Sequence, residues 1–226
     1  MAKGAAMELM LYHSAAGANS LSALIYMEEK RIRYAARPVD GRLPDLRAAG
    51  ALPLLANEDV YVAGSTRISR YVEKLIPDSR VQPADTEGRR RMHQWLERID
   101  AELVPLLDTA GCMLLAERFR GNRWADAAAG TPAPATLSET LAPCFRDIEE
   151  ALSRSAWLAG ESFSLADIHA FPLIARFAGL LPGDVDRRTL PRTVKWLEVI
   201  SDRPSVHKVV SFLEGRMAMP ATARLH

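Results

Sequence analysis

Residues 157–168 read Trp157-Leu158-Ala159-Gly160-Glu161-Ser162-Phe163-Ser164-Leu165-Ala166-Asp167-Ile168. Ser164, followed three residues later by Asp167, has the form of a capping box with Asp in the usual Glu position. The serine hydroxyl can accept from the Asp167 N–H while the carboxylate reaches back to the Ser164 N–H. Phe163 and Ile168 then fall at N′ and N4, the two positions of a hydrophobic staple. The spacing predicts a buried helix from Ser164 to about residue 178, with Pro172 a tolerated irregularity.

Outward from this start signal the second half of the chain is helical in pattern. Met92, Trp95, Leu96, Ile99, Leu103, Leu106 and Leu107 mark a long amphipathic helix. It is interrupted near Pro105, which lacks the N–H for an interior helical bond. Leu141, Phe145, Ile148 and Leu152 mark another. Further helices are expected at about 190–201 and 205–216, the latter opened by Pro204. Asp126 to Thr136, Ala-rich with Gly130, Pro132 and Pro134, reads as a mobile loop.

The first part of the chain alternates element types. Leu9-Met10-Leu11-Tyr12 suits a strand covered on both faces. From Ser20 to Lys30, Leu21, Leu24 and Ile25 share one helical face while Glu28, Glu29 and Lys30 point elsewhere. Arg33 to Val39 is a second strand, with Pro38 near its end. Asp40 to Gly50 is polar and broken. Leu54-Leu55-Ala56 and Val60-Tyr61-Val62 follow as a hairpin around Asn57, Glu58 and Asp59. Ile68, Tyr71, Val72, Leu75 and Ile76 then form a helical stripe that Pro77 stops. Pro77 to Gly88 reads as a linker. The order is β-α-β, loop, β-β-α, then helices alone.

Composition narrows the function classes. The 226 residues carry 29 Lys+Arg against 28 Asp+Glu, a formal charge of +1, so the footprint of a polyanion-binding protein is missing. Neither nucleic acid nor a membrane surface is an expected partner. Arg89-Arg90-Arg91, the densest basic run, opens an amphipathic helix and reads as a solvated or intersubunit face. Two cysteines, Cys112 and Cys144, make neither a disulfide framework nor a four-thiolate zinc site. The five histidines show no metal-ligand spacing, so no metal is expected. There is no Walker loop, no Gly-x-Ser-x-Gly elbow and no dinucleotide fingerprint. Met1 to Met10 has no leader pattern, and no segment reaches the roughly 18 apolar residues of a membrane span, which points to a cytoplasmic protein.

The order of parts, together with Tyr12 through Leu21, Gly50-Ala51-Leu52-Pro53 with Ser65-Thr66, and Trp157-Leu158-Ala159-Gly160 through Ile168, resembles the cytosolic glutathione S-transferases over nearly the whole chain. Gly17-Ala18-Asn19-Ser20-Leu21 is most similar to the bacterial branch of beta-class enzymes and lignin β-etherases. The resemblance implies an α/β thioredoxin-like N-terminal domain at residues 7–81, which binds glutathione, and an all-α helical domain at 88–226. It implies a homodimer and a detoxifying transferase in which bound glutathione thiolate attacks an electrophilic centre of a hydrophobic small molecule. Glutathione-dependent ether cleavage and double-bond isomerisation use the same thiolate. A ligand-binding protein that keeps the fold without the chemistry is the alternative from another class.

The same resemblance assigns residues. Pro53 is cis in the family, which leaves Leu52 free to pair with the cysteinyl unit of glutathione. Gly64, Ser65 and Thr66 open a helix where the γ-glutamyl carboxylate sits, and Ser65 is also an ordinary N-cap. Asn19, Ser20 and Ser14 are the candidate thiolate contacts at the first helix, where the dipole lowers a thiol pKa. Asn19 and Ser20 are good caps as well, and the two roles are compatible. Tyr12, His13, Ala16, Met113 and Leu114 are the candidate lining of a substrate pocket between the domains; a lone histidine after a strand, His13 reads first as a solvated or hydrogen-bonded bystander and only second as a base. Two departures stand out: Gly64 replaces the family's Glu before Ser65, and Asn19 occupies the beta-class cysteine position.

Overall fold

The computed structural model describes residues 9–14, 17–39, 52–77, 79–107, 134–180 and 185–217. These fall into two compact units, one formed by residues 1–82 with 199–226, the other by 83–198.

In the first unit, β1 (Leu9–His13) leads into α1 (Ala18–Glu29) and β2 (Tyr34–Pro38); β3 (Leu54–Asn57) and β4 (Val60–Ala63) form a hairpin, and α2 (Ser65–Leu75) follows. The sheet order is β2-β1-β3-β4, with β1 parallel to β2 and antiparallel to β3. Alternation along β1 buries Leu9, Leu11 and His13 and leaves Met10 and Tyr12 half-buried. The hairpin turn is Glu58-Asp59, because Asn57 still pairs with Val60. α1 is buried nearly all round, from Ala23 to Met27 and at Ser20 and Ser22, more than its single apolar face suggests. Lys30, off the apolar face of the helix, is also buried: its ammonium lies 2.6 Å from Glu73 on α2. Glu73 accepts a further hydrogen bond from the Tyr26 hydroxyl at 2.9 Å.

A 3-10 turn at Ser79–Val81 ends the first stretch. The linker is shorter than its composition implies, since α3 (Thr86–Arg98) starts inside it. Asp85 caps that start by accepting the Gly88 N–H at 2.6 Å. A Cβ on Gly88 would come within 2.6 Å of the Pro83 Cβ, so only glycine allows the approach. The interruption expected near Pro105 is a π turn at Ile99–Leu103, after which residues 104–107 are helical again. A wider turn ahead of Pro105 suits a residue that cannot donate to a regular helical partner.

Helix α4 (Pro134–Arg154) begins within the loop expected at Asp126 to Thr136. Pro134 at the first helical position costs nothing there, because that N–H has no helical acceptor. The remainder of that expected loop lies outside the described residues. α5 (Leu165–Leu180) and α6 (Pro191–Ser201) follow, and α7 (Pro204–Met217) packs on α1 in the first unit. There Glu29 accepts from Arg203 Nε and Nη2 at 2.7 and 2.9 Å and from the Ser205 hydroxyl. Burial raises the Glu29 pKa, but these donors outweigh it and hold the carboxyl below its ordinary value.

The Ser164/Asp167 box forms, with one difference. Asp167 Oδ2 accepts from the Ser164 N–H at 3.0 Å, as expected. The Ser164 hydroxyl donates to the same oxygen at 3.1 Å instead of accepting from the Asp167 N–H, which bonds the Ser164 carbonyl. A fully buried carboxylate needs donors, and it finds more at long range: Oδ1 accepts from Leu158 N–H at 3.0 Å and Trp196 Nε1–H at 2.9 Å. The 157–160 loop is fixed on its other side by Trp95 Nε1–H on Leu158 O and Arg91 Nε–H on Ala159 O. Phe163 meets the Trp157 ring edge-on at 5.0 Å.

Burial pushes the Asp167 pKa up to about 6, with the four hydrogen bonds pulling the other way. The native state therefore holds the proton more tightly than the unfolded chain. The stabilisation from this group is fully present below the unfolded carboxyl pKa of about 3.9 and is lost as pH rises through about 6. Following the Asp167 side-chain carboxyl carbon by NMR should give a midpoint near 6; a midpoint near 4 would remove the predicted pH dependence.

Candidate functional site

The sheet register brings three separate chain segments to one end. β1 finishes at His13, β3 starts beside Tyr12 through the Tyr12–Leu54 pair, and β4 finishes at Ala63, which pairs with Leu54. Ser14, the Leu52-Pro53 step and Gly64-Ser65 therefore share this end. α1 follows β1 and α2 follows β4 there, so two helix N-termini open beside it. Neither helix has an acidic residue in its first turn to oppose an anion.

The Leu52–Pro53 peptide bond is cis, and the Pro53 carbonyl accepts the Gly64 N–H at 2.9 Å. This bond ties the β3 entry to the start of α2. Gly64 is the N-cap, with φ +92°, and Ser65 is the first helical residue. Ser65, read as an N-cap from its sequence position, thus lies one residue further in and makes no capping bond. Glycine is favoured at the cap because its backbone is left-handed. A side chain there would meet no atom within 4 Å, so the space over this helix start is open. Ser65 and Thr66 are buried, and the Ser69 hydroxyl bonds the Thr66 carbonyl at 2.9 Å.

At α1 the N-cap is Gly17, extended at φ −84°, without a side-chain capping bond. Asn19 and Ser20 lie in the first turn, beyond the cap. Ser20 is buried and its Oγ accepts the Ser14 N–H at 3.0 Å, closing the strand-to-helix loop. That bond makes Ser20 a positioning residue, while Ser14 is half-buried. A Cβ on Gly17 would lie 3.3 Å from Ser14 Cβ and 3.4 Å from Ser20 Oγ, so glycine keeps these serines close. The Asn19 Oδ1 is buried and has no hydrogen-bond partner among the described residues, an unmet polar group beside the helix start.

Of the expected pocket residues, Tyr12 is half-buried and Ala16, Met113 and Leu114 lie outside the described residues. His13 departs from expectation: its ring is fully buried, 6.0 Å from Phe212 of α7, and lines no open surface. The alternation Leu9, Leu11, His13 carried that signal. Cys144 is buried with its thiol pushed up to about 11 by desolvation, which leaves it protonated at neutral pH. A cavity of about 950 Å³ lies in the second unit, among Arg90, Arg91, Trp95 and Arg98. Among the described residues, no cluster of three or more His, Cys, Asp or Glu could hold a metal, and no helix is long and apolar enough to cross a membrane.

A four-stranded mixed sheet with a cis-proline entry and two open helix starts, followed by a helical unit, defines a thioredoxin-like α/β unit joined to an all-α one. Residues 112–204 match the family model of the glutathione S-transferase C-terminal domain. Over most of its length the chain is similar to proteins named glutathione S-transferases. It is 26% identical to Protein LigF of Sphingobium sp., over 90% of this chain and 93% of that protein. Glutathione S-transferase 3 of Zea mays is 28% identical, at 90% and 93% coverage. The structure described as beta-etherase LigF from Sphingobium sp. superposes with a TM-score of 0.74 at 23% identity, covering 90% of this chain and 99% of that one. Ure2p5 from Phanerochaete chrysosporium, cocrystallized with 1-(S-glutathionyl)-2,4-dinitrobenzene, gives 0.76 at 18% identity, with 96% and 99% covered.

Proposed function

We propose that the protein is a glutathione-dependent transferase. The observation that carries this reading is the convergence of two acid-free helix N-termini on the Leu52-Pro53 step. Glutathione is a tripeptide thiol with two carboxylates, and each part has a place. The γ-glutamyl carboxylate sits on the first-turn amides of α2 and the Ser65 hydroxyl, under Gly64 and beside Thr66. The cysteinyl backbone pairs with Leu52 like an added strand. The sulfur lies at the start of α1, near Ser14 and Asn19, with Ser20 holding the Ser14 backbone in place.

At that position the helix dipole and local donors favour thiolate over thiol, so the proton passes to solvent before reaction. The thiolate then attacks an electrophilic carbon of a hydrophobic small molecule. A carbon–sulfur bond forms, and the bond to the leaving group breaks with its electron pair. Ether cleavage is the second reading, favoured by the similarity to a protein described as a beta-etherase. There the leaving group is an alkoxide or phenoxide, which takes up a proton. We also place the protein in the cytoplasm as a homodimer with a detoxifying role. Val60 and Tyr61, exposed among the described residues on the edge strand β4, support an interface between copies.

Calorimetric titration with glutathione tests the reading. Ser65→Ala should weaken binding by about 1.5–3 kcal/mol, the scale of a hydrogen bond to a charged group. Asn19→Ala should instead lower the ultraviolet thiolate absorbance of the complex at neutral pH. No binding at millimolar glutathione would overturn both enzyme readings and leave a non-catalytic ligand-binding protein. Unchanged affinity in Ser65→Ala would remove the carboxylate from the α2 start.

A further inference from the structure

A smaller crevice lies in the first unit and shares no lining residue with the thiol site. It has a volume of about 230 Å³ and is lined by Glu28, Tyr34, Ala36, Lys208, Val209 and Phe212. That is below the roughly 300–1,000 Å³ of pockets that take drug-sized ligands, so the occupant is small. Its walls are apolar: the Phe212 and Tyr34 rings, Val209 and Ala36. Its remaining lining is an ion pair. Lys208 Nζ donates to Glu28 Oε2 at 2.6 Å, and the Tyr34 hydroxyl donates weakly to Oε1 at 3.3 Å. Burial and the adjacent Glu28 carboxylate raise the Tyr34 pKa, which keeps that hydroxyl a neutral donor.

The ion pair selects the ligand's charge. A bare carboxylate entering the crevice would meet Glu28, and a bare amine would meet Lys208. Lys208 keeps unused donor capacity, since an ammonium has three N–H bonds and its side chain is 69% exposed. Among the described residues, the Glu28 oxygen on the tyrosine side is held only by the long 3.3 Å bond. An ammonium and a carboxylate on one carbon complement both groups at once with no net charge introduced. We propose that this crevice binds a free aromatic α-amino acid, its ring against Phe212 and Tyr34, its carboxylate on Lys208 and its ammonium on Glu28.

The site stands independently of the glutathione reading, because none of its residues is placed in that machinery. Three ligands with the same ring test it by calorimetry: L-phenylalanine, phenylacetate and phenethylamine. Phenylalanine should bind, with each half-ligand weaker by about tenfold, the scale of one lost charge-assisted hydrogen bond. Lys208→Met should bring phenylalanine down to the affinity of phenethylamine. Ala36→Phe, which fills the crevice, should abolish binding while the melting curve and glutathione titration stay as in the wild type. The His13 ring signals, 6.0 Å across Phe212, should shift on phenylalanine addition. Equal affinities for the three ligands, no binding of phenylalanine, or binding unaffected by Lys208→Met and Ala36→Phe would each overturn the proposal.

Discussion

Replacing Asp167 with alanine is expected to abolish stable folding of the second unit. Four donors lose the acceptor they have among the described residues in this exchange: the main-chain N–H groups of Leu158 and Ser164, the Ser164 hydroxyl and the indole N–H of Trp196. Each buried donor left unsatisfied costs about 1–3 kcal/mol. Their sum approaches the whole stability of a typical domain, about 5–15 kcal/mol. The loss reaches beyond the first turn of α5, because the loop at 157–160 and α6 are held by the same carboxylate. Asp167→Asn discriminates between charge and hydrogen bonding. Its amide keeps one acceptor but turns an NH2 toward donors, so it should fold with a clearly lowered melting temperature. Ser164→Ala removes only a hydroxyl and should cost about 1 kcal/mol. Far-UV circular dichroism and thermal melts separate these outcomes, and a native-like melt for Asp167→Ala would overturn the assignment.

The second large effect is expected at the ion pair between α1 and α2. Lys30 has no exposed side-chain surface and Glu73 only 11%. Glu73→Leu removes the carboxylate that faces the buried ammonium, and breaking a buried ion pair costs about 3–5 kcal/mol. Lys30→Met leaves Glu73 with its Tyr26 and Gln82 donors, so its penalty should be smaller. With both exchanged, the apolar pair should recover much of the loss, since buried ion pairs replaced by packed apolar side chains are often neutral. Urea denaturation of the two single variants and the double variant should give a coupling of about 2 kcal/mol or more. Additive losses would mean that the pair contributes nothing specific.

These two sites also mark what a sequence can carry. The Ser164–Asp167 spacing is a local signal, and the helix it predicts is present because a capping box is decided within four residues. Its strength comes from Leu158 and Trp196, nine and 29 residues from Asp167, and no local pattern contains them. Lys30 and Glu73 are 43 residues apart, and each alone looks like a solvated charge. The strand and helix order of the first unit was legible from alternation and proline positions. So was the gathering of Ser14, Pro53 and Gly64, through the resemblance of their segments to one family. That Ser20 binds a backbone amide and His13 turns inward depends on loop closure and on α7, which comes from the far end of the chain.

That last helix has a consequence for synthesis. The residues that complete the first unit are encoded on both sides of the stretch that encodes the second. The second unit, by contrast, is one continuous stretch. On the ribosome the sheet and α1 emerge before the second unit but wait for α7, with Glu29 lacking Arg203 and Ser205 until the second unit has been made. The second unit can reach its final packing before the first does, reversing the usual order in which the earlier-made domain folds first.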